Sequence, residues 1–345
     1  MISQLYSEIK DKITLIDGIS IIFIVLFHEL GGINRSDSIF LIRYLATFGL
    51  VLFTFSSGLK MGINHSAEIN DKSFISKYFM KRFTRLYKAY IGYTLLAFVP
   101  LYCISYISIN YLNLNFENII NFWNNLNIDG LLKTLIGHNI VSYQLGYLIV
   151  LILITTVCFA IIYYFQINTL FYFIIPLLAF DVIYKDTLKQ YPSILFNVMM
   201  YMPAYIFGIA YGYKQLEQNK LSVSYICSIT FVAIFVISIV YPQSFAHKYA
   251  ILLYGITFPP FMMLFSRILL NFKYLKELLL LCGKYSFQIY LFHWPIILPL
   301  ISKLTINILK INNFFTPYGV TVLAIIICVY VYKVSKKLKL NQIFE

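Results

Sequence analysis

Two histidines lie deep in apolar runs of this chain. His28 closes the segment DGISIIFIVLFHE and His293 stands in GKYSFQIYLFHWPII. An imidazole titrating near neutrality can act as a general base on a hydroxyl, or as a nucleophile that carries an acyl group transiently. Asp17 precedes His28 by eleven positions. On a helix that spacing is about 20° past three full turns and roughly 16 Å of axial rise, so both project from one face. Glu29 points about 100° away from His28. It either orients the histidine indirectly or reaches towards the outer interface. The competing reading of His28 is a histidine hydrogen-bonded between helices for structural reasons.

The second histidine belongs to a stripe. Ser286, Tyr290 and His293 fall at i, i+4 and i+7, one line along a helix. Pro295 follows and frees backbone carbonyls, because it has no N–H of its own. Packing between helices explains the same stripe equally well. His28 is the candidate chemical centre and His293 a supporting or substrate-positioning group. His65, His138 and His247 fall in loops by contrast.

Two further groups suit a phosphate-bearing ligand. In FTFSSGLKMG, Ser57 and Gly58 remove side-chain bulk, so that another helix or an extended ligand can approach the backbone. Lys81, Arg85 and Lys88 follow i, i+4, i+7, with Arg82 three positions before Arg85. Arginine geometry matches phosphate oxygens bidentately, and a nucleotide-bearing donor such as coenzyme A would be held this way. Anchoring of a cytoplasmic membrane boundary by positive charge is the alternative.

These residues must be positioned by membrane helices. Sixty per cent of the 345 residues are hydrophobic and only 12% are charged, against about 25% charged in soluble domains; the mean hydropathy is +0.77. Apolar runs of bilayer length, roughly 20 residues, recur from end to end. Without water at depth each must close its own backbone hydrogen bonds as a helix. The chain is therefore read as all-α, a single polytopic membrane-embedded helical domain over residues 1–345. Ten spans are expected: 13–31, 39–62, 87–108, 144–165, 168–184, 195–212, 221–241, 249–270, 285–303 and 317–334. Gln166 and Ile167 alone divide the fourth from the fifth.

The net charge of +13 argues for no nucleic-acid partner, since Lys and Arg collect beside anionic lipid headgroups in cytoplasmic loops. With both termini inside, nineteen of the 27 cations are cytoplasmic, seven of them between Lys60 and Lys88. The stretch 63–86 reads as a basic cytoplasmic loop. The stretch 109–143 reads as a long external one, in which Phe116, Ile119, Ile120, Trp123 and Leu126 mark an interfacial helix, either a lid or a plain surface element. The scattered cysteines at 103, 158, 227, 282 and 328 suggest neither a metal site nor disulfides.

In order and spacing these segments resemble the membrane acyltransferase-3 family over nearly the whole chain. The first span ending in LFH is similar to that family's opening helix with its terminal histidine, here His28. Phe53, Ser57 and Gly58 match its aromatic-aromatic-x-x-Ser-Gly motif, with Thr54 replacing an aromatic. Arg82 and Arg85 match its Arg-x-x-Arg, without the proline that usually follows. Ser286, Ile289, Tyr290, Leu291, His293 and Pro295 match its late Ser-x-x-Ile-Tyr-Leu-x-His-x-Pro segment. One departure carries charge: the family usually has Arg or Lys eleven residues before the histidine, where this chain has Asp17 followed by Gly18. The phosphate role of that cation is not carried over.

The resemblance implies a multi-pass O-acyltransferase of the cell (plasma) membrane. It would take an acyl group, most often acetyl, from cytoplasmic acyl-coenzyme A as a donor substrate, with no permanently bound cofactor and no metal. The acceptor would be a hydroxyl of a surface glycan or lipid-linked sugar at the outer face. Some members carry a fused extracytoplasmic esterase-like domain; with none expected here, transfer would go directly to the acceptor or to a separate protein. The rival reading is a non-enzymatic transporter or flippase for a surface polysaccharide or its lipid carrier. A polyprenyl-phosphate glycosyltransferase is disfavoured, because the first external loop holds only Asp37 where an acidic pair is wanted.

Overall fold

The computed structural model describes residues 2–31, 40–110, 122–138, 140–141, 143–179, 183, 193–214, 221–241, 250–311 and 313–340, and these are helical or in short turns, with no strand among them. In chain order the helices are α1 (Ile2–Gly31), α2 (Phe40–Ala46), α3 (Gly49–Asn64), α4 (Lys72–Asn110), α5 (Ile128–Leu135), α6 (Gly146–Tyr172) and α7 (Ser193–Lys214). They continue as α8 (Leu221–Val240), α9 (Ala250–Leu269), α10 (Lys273–Lys284), α11 (Ser286–Phe292), α12 (Leu298–Lys303) and α13 (Thr316–Lys337). Among the described residues seven helical segments are long and apolar enough to cross a membrane, and 224–240 and 253–269 are shorter apolar helices. The protein is an all-α membrane protein. Of the remaining expected span, 168–184, residues 168–172 and 174–179 are helical.

Residues 1–76 and 156–286 form one compact unit, and residues 77–155 and 287–345 a second. In the first, α1 packs against α3 and α10, α3 against α7, and α8 against α9. Glycines decide how close these helices come. A Cβ on Gly58 would stand 2.1 Å from the Tyr205 carbonyl oxygen, and one on Gly62 2.4 Å from that of Ile209. From the other side, Gly208 meets the Phe55 oxygen at 2.3 Å and Gly212 the Leu59 oxygen at 2.6 Å. Two small-residue pairs with a spacing of four thus face each other, so α3 and α7 touch backbone to backbone, a contact in which packing itself supplies the attraction. Gly18 and Gly283 do the same for α1 and α10, where a Cβ would lie 2.1 Å from Leu279 O and 1.8 Å from Thr14 O respectively.

One expectation changes. The basic stretch 63–86 is not simply a loop: α4 starts at Lys72 and runs 39 residues to Asn110 without interruption. At 1.5 Å per residue that is about 58 Å, so it overruns a hydrocarbon core of roughly 30 Å, and the cationic turns are the overrun. The carboxylate of Asp71 starts the helix by accepting from the Ser73 N–H at 2.9 Å, as an N-cap side chain does. In the stretch 109–143, residues 111–121 lie outside the described residues, and with them Phe116, Ile119 and Ile120. Residues 122–124, with Trp123, are helical, and a separate helix, α5, follows, capped by Asn127 accepting from Gly130 N–H at 2.7 Å. Its Ile128, Leu131, Leu132 and Leu135 are exposed, an apolar face suited to a membrane interface. Trp123 packs on Tyr102 with ring centroids 5.2 Å apart.

The division after the fourth span falls where the sequence placed it. Gln166 leaves helical geometry (φ 68°, ψ 167°) inside the run Gly146–Tyr172, and the next amide, Ile167 N–H, donates to Asn70 Oδ1 at 3.1 Å. Cys158, Cys282 and Cys328 are buried, Cys103 is exposed, and none of the five is joined in a disulfide.

Candidate functional site

In the first unit, α1 is the element that matters. It is one helix from Ile2 to Gly31, so the Asp17–His28 relation expected from spacing holds: one face, roughly 16 Å apart along the axis. Asp17 is buried. Ser56 Oγ donates to its Oδ1 at 2.5 Å, and Lys60 Nζ donates to its Oδ2 at 2.5 Å. The Asp17 side chain is 6% exposed and that of Lys60 46%. The pair is therefore a buried anion reached by a lysine whose stem enters from the surface. Sequence reasoning placed a lone carboxylate at position 17 and missed Lys60, although Lys60 closes the same FTFSSGLK segment. A buried carboxylate needs a cation or several donors, and that requirement was the available signal.

His28 is half-buried in the last turn of α1, with Glu29 buried beside it in sequence. The Phe27 ring meets the imidazole edge-on at 5.6 Å between centroids. Ser57 is half-buried on α3. The space next to Gly58 is filled by the α7 backbone. Of the two approaches open to a small residue here, Gly58 serves helix contact.

Asp17 and Lys60 border a cavity of about 220 Å³, also lined by Lys10, Thr14, Asn64 and Lys284. It lies where α1, the C-terminal turn of α3 and the C-terminal turn of α10 come together.

The second unit holds the basic stripe and the second histidine. Along α4, Lys81, Arg85 and Lys88 are exposed whereas Arg82 is buried. Buried Leu86, Ala89, Tyr90 and Tyr93 continue the Arg82 face. The four cations do not share one face: three form an outward stripe and Arg82 turns inward. Further along, the Tyr90 hydroxyl donates to the Thr134 carbonyl and Tyr93 Oη donates to the Trp294 carbonyl at 3.1 Å.

Tyr290 and His293 are both buried, and the Tyr290 hydroxyl donates to the Gln144 carbonyl. Ser286, buried too, is the first residue of α11. Helical geometry breaks one residue past His293, at Trp294 (φ −127°, ψ 149°), next to the proline that cannot donate. His293 Nδ1 lies 2.8 Å from the Tyr290 carbonyl oxygen and 3.0 Å from that of Ile289. Carbonyl oxygens only accept, so Nδ1 carries the proton. In the neutral ring Nε2 is then the basic nitrogen, a tautomer set by the second ring nitrogen's partner.

A model of the acyltransferase-3 family, described as an acyltransferase domain, matches residues 10–333. No curated protein and no solved structure matches the chain.

Proposed function

The chain belongs to the acyltransferase-3 family, a membrane acyltransferase, and from that premise we propose that it moves an acetyl group from cytoplasmic acyl-coenzyme A to a hydroxyl of a surface glycan or lipid-linked sugar. In this reading both termini are cytoplasmic. The long basic start of α4 then stands on the donor side, and the outward end of α1 with His28 on the acceptor side. The protein works in the cell membrane.

The observation that carries the reading is the continuity of α1, which fixes Asp17 midway along one helix and His28 near its end, on one face, within a matched acyltransferase domain. Exposed Arg85, Lys81 and Lys88 receive donor phosphates, together with Arg82, which approaches from the buried side of α4. Ser57 borders the donor's path, and Gly58 positions it by letting α7 close on α3. His28 either takes the proton of the acceptor hydroxyl as it attacks the thioester, or accepts the acyl group and passes it on. In both cases the thioester C–S bond breaks, the ester C–O bond forms, and coenzyme A leaves as the thiol. Glu29 supports His28. Tyr290, held by Gln144, and Ser286 keep with His293 a supporting role.

The test is mass spectrometry of surface glycans from cells with and without the protein. Acetyl esters that disappear with the protein and return with the wild-type chain are the expected result. Unchanged glycans, with acyl-coenzyme A neither consumed nor bound by membranes, would refute it.

A further inference from the structure

The cavity in the first unit has a charge that the acyl-transfer reading does not use. Three lysines line it, Lys10, Lys60 and Lys284, against one carboxylate, Asp17. Asp17 already accepts from Ser56 and from Lys60, which leaves an excess of two positive charges around the opening. Lys284 stands in the last turn of α10, where a cation is favoured by the helix dipole, whereas Lys60 lies a turn before the end of α3. The dipole alone would explain one lysine at such an end. It does not explain the convergence of Lys60 and Lys284 with Lys10, from the middle of a helix turn on α1, around about 220 Å³ of open space, where one water needs only about 10–15 Å³. The Asn64 side chain adds an amide to the lining.

We propose that this cavity is a binding site for a phosphate-type dianion, held by Lys10, Lys60 and Lys284. The charge selects the class. A phosphate monoester carries about −1.5 to −2 at neutral pH and matches the excess, whereas a carboxylate matches half of it. Lysine binds phosphate as a point charge and tolerates varied ester groups. Asp17 is the counter-ion that keeps Lys60 in place when the site is empty, and it competes with the ligand for that lysine. The phosphate can come from a soluble ester or diphosphate, or from a lipid headgroup that reaches the opening. The inference stands on the cavity and needs no acyl transfer.

The experiment uses the full chain in nanodiscs of phosphatidylcholine. Its melting temperature is followed as inorganic pyrophosphate is added, with potassium chloride at matched ionic strength and acetate as controls. Pyrophosphate should raise the melting temperature saturably and acetate should not. Lys284→Gln and Lys10→Gln, at exposed positions and outside the buried ion pair, should each weaken the apparent affinity roughly tenfold or more, the loss of one charge-assisted contact. Asp17→Asn keeps an oxygen for Ser56 and should tighten binding, while Lys60→Arg should retain it. Nanodiscs containing phosphatidic acid separate the sources. If that lipid alone gives the lysine-dependent shift and pyrophosphate adds nothing, the occupant is a headgroup; if pyrophosphate still adds its shift, the occupant is soluble. No shift with either, an equal shift with acetate, or a shift untouched by Lys284→Gln and Lys10→Gln would overturn the proposal.

Discussion

Asp17 and Lys60 meet at 2.5 Å across 43 positions of sequence, and their contact joins α1 to α3 beside the serine that also binds Asp17. Removing the lysine alone strands a buried carboxylate, which costs about 1–3 kcal/mol or more when the group is charged. Lys60→Met is therefore expected to lower the melting temperature of the purified protein clearly, and Asp17→Asn to lower it less. The double variant Asp17→Asn/Lys60→Met should be more stable than the sum of the two single losses, as coupled partners are. Strict additivity would show that the pair does not join the two helices.

The α3–α7 contact makes a second prediction. Gly58→Ala places a methyl 2.1 Å from a backbone oxygen, whereas a methyl at Gly319 in α13 meets nothing within 4 Å. Gly58→Ala should cost about 1–3 kcal/mol by overpacking and reduce folded yield. Gly319→Ala should be neutral or stabilising by up to about 1 kcal/mol from helix propensity. Equal melting temperatures for the two variants would contradict the close packing of these helices.

Orientation is tested by cysteine labelling. Asn124 and Ser73 are both exposed, one near α5 and the other at the start of α4. With the termini inside, a membrane-impermeant thiol reagent added to intact cells should modify Asn124→Cys and spare Ser73→Cys, each in a chain with Cys103 replaced. Labelling of Ser73→Cys from outside would invert the orientation and the donor side with it.

Arg85 and Arg82 separate donor binding from folding, because one is exposed and the other buried. Arg85→Ala should weaken acyl-coenzyme A binding by about 1.5–3 kcal/mol, the worth of a charge-assisted hydrogen bond, with little change in melting temperature. Arg85→Lys should recover part of the affinity, since it keeps the charge and loses the fork. Arg82→Ala should cost stability as well. Unchanged donor affinity in Arg85→Ala would make the stripe a membrane anchor.

Much of this was legible along single helices and little of it between them. The Asp17–His28 register, the Ser286–Tyr290–His293 stripe and the break at Gln166 follow from local periodicity and from a polar residue in an apolar run. The start of α4 did not, because hydropathy sees its charged turns as loop; Asp71 ahead of Lys72 was the capping signal that marks it. The spacing of four in Gly58/Gly62 and Gly208/Gly212 is visible in sequence, but that the two pairs face each other is a tertiary fact. So is Lys60 as the partner of Asp17. The inward turn of Arg82 was readable only in outline: residues 81 and 82 differ by about 100° on a helix, so they could not share one face with equal exposure.

His28 is the centre of the account. The direct measurement is acetyl transfer by the purified chain in nanodiscs, with acyl-coenzyme A and an acceptor glycan, for wild type, His28→Ala and His293→Ala. Folding is checked by melting temperature and donor affinity by titration. His28→Ala should keep both and lose transfer by at least the roughly 10²–10⁴-fold that a general base contributes, while His293→Ala should be milder or lose stability instead. Wild-type transfer by folded His28→Ala protein would contradict the account.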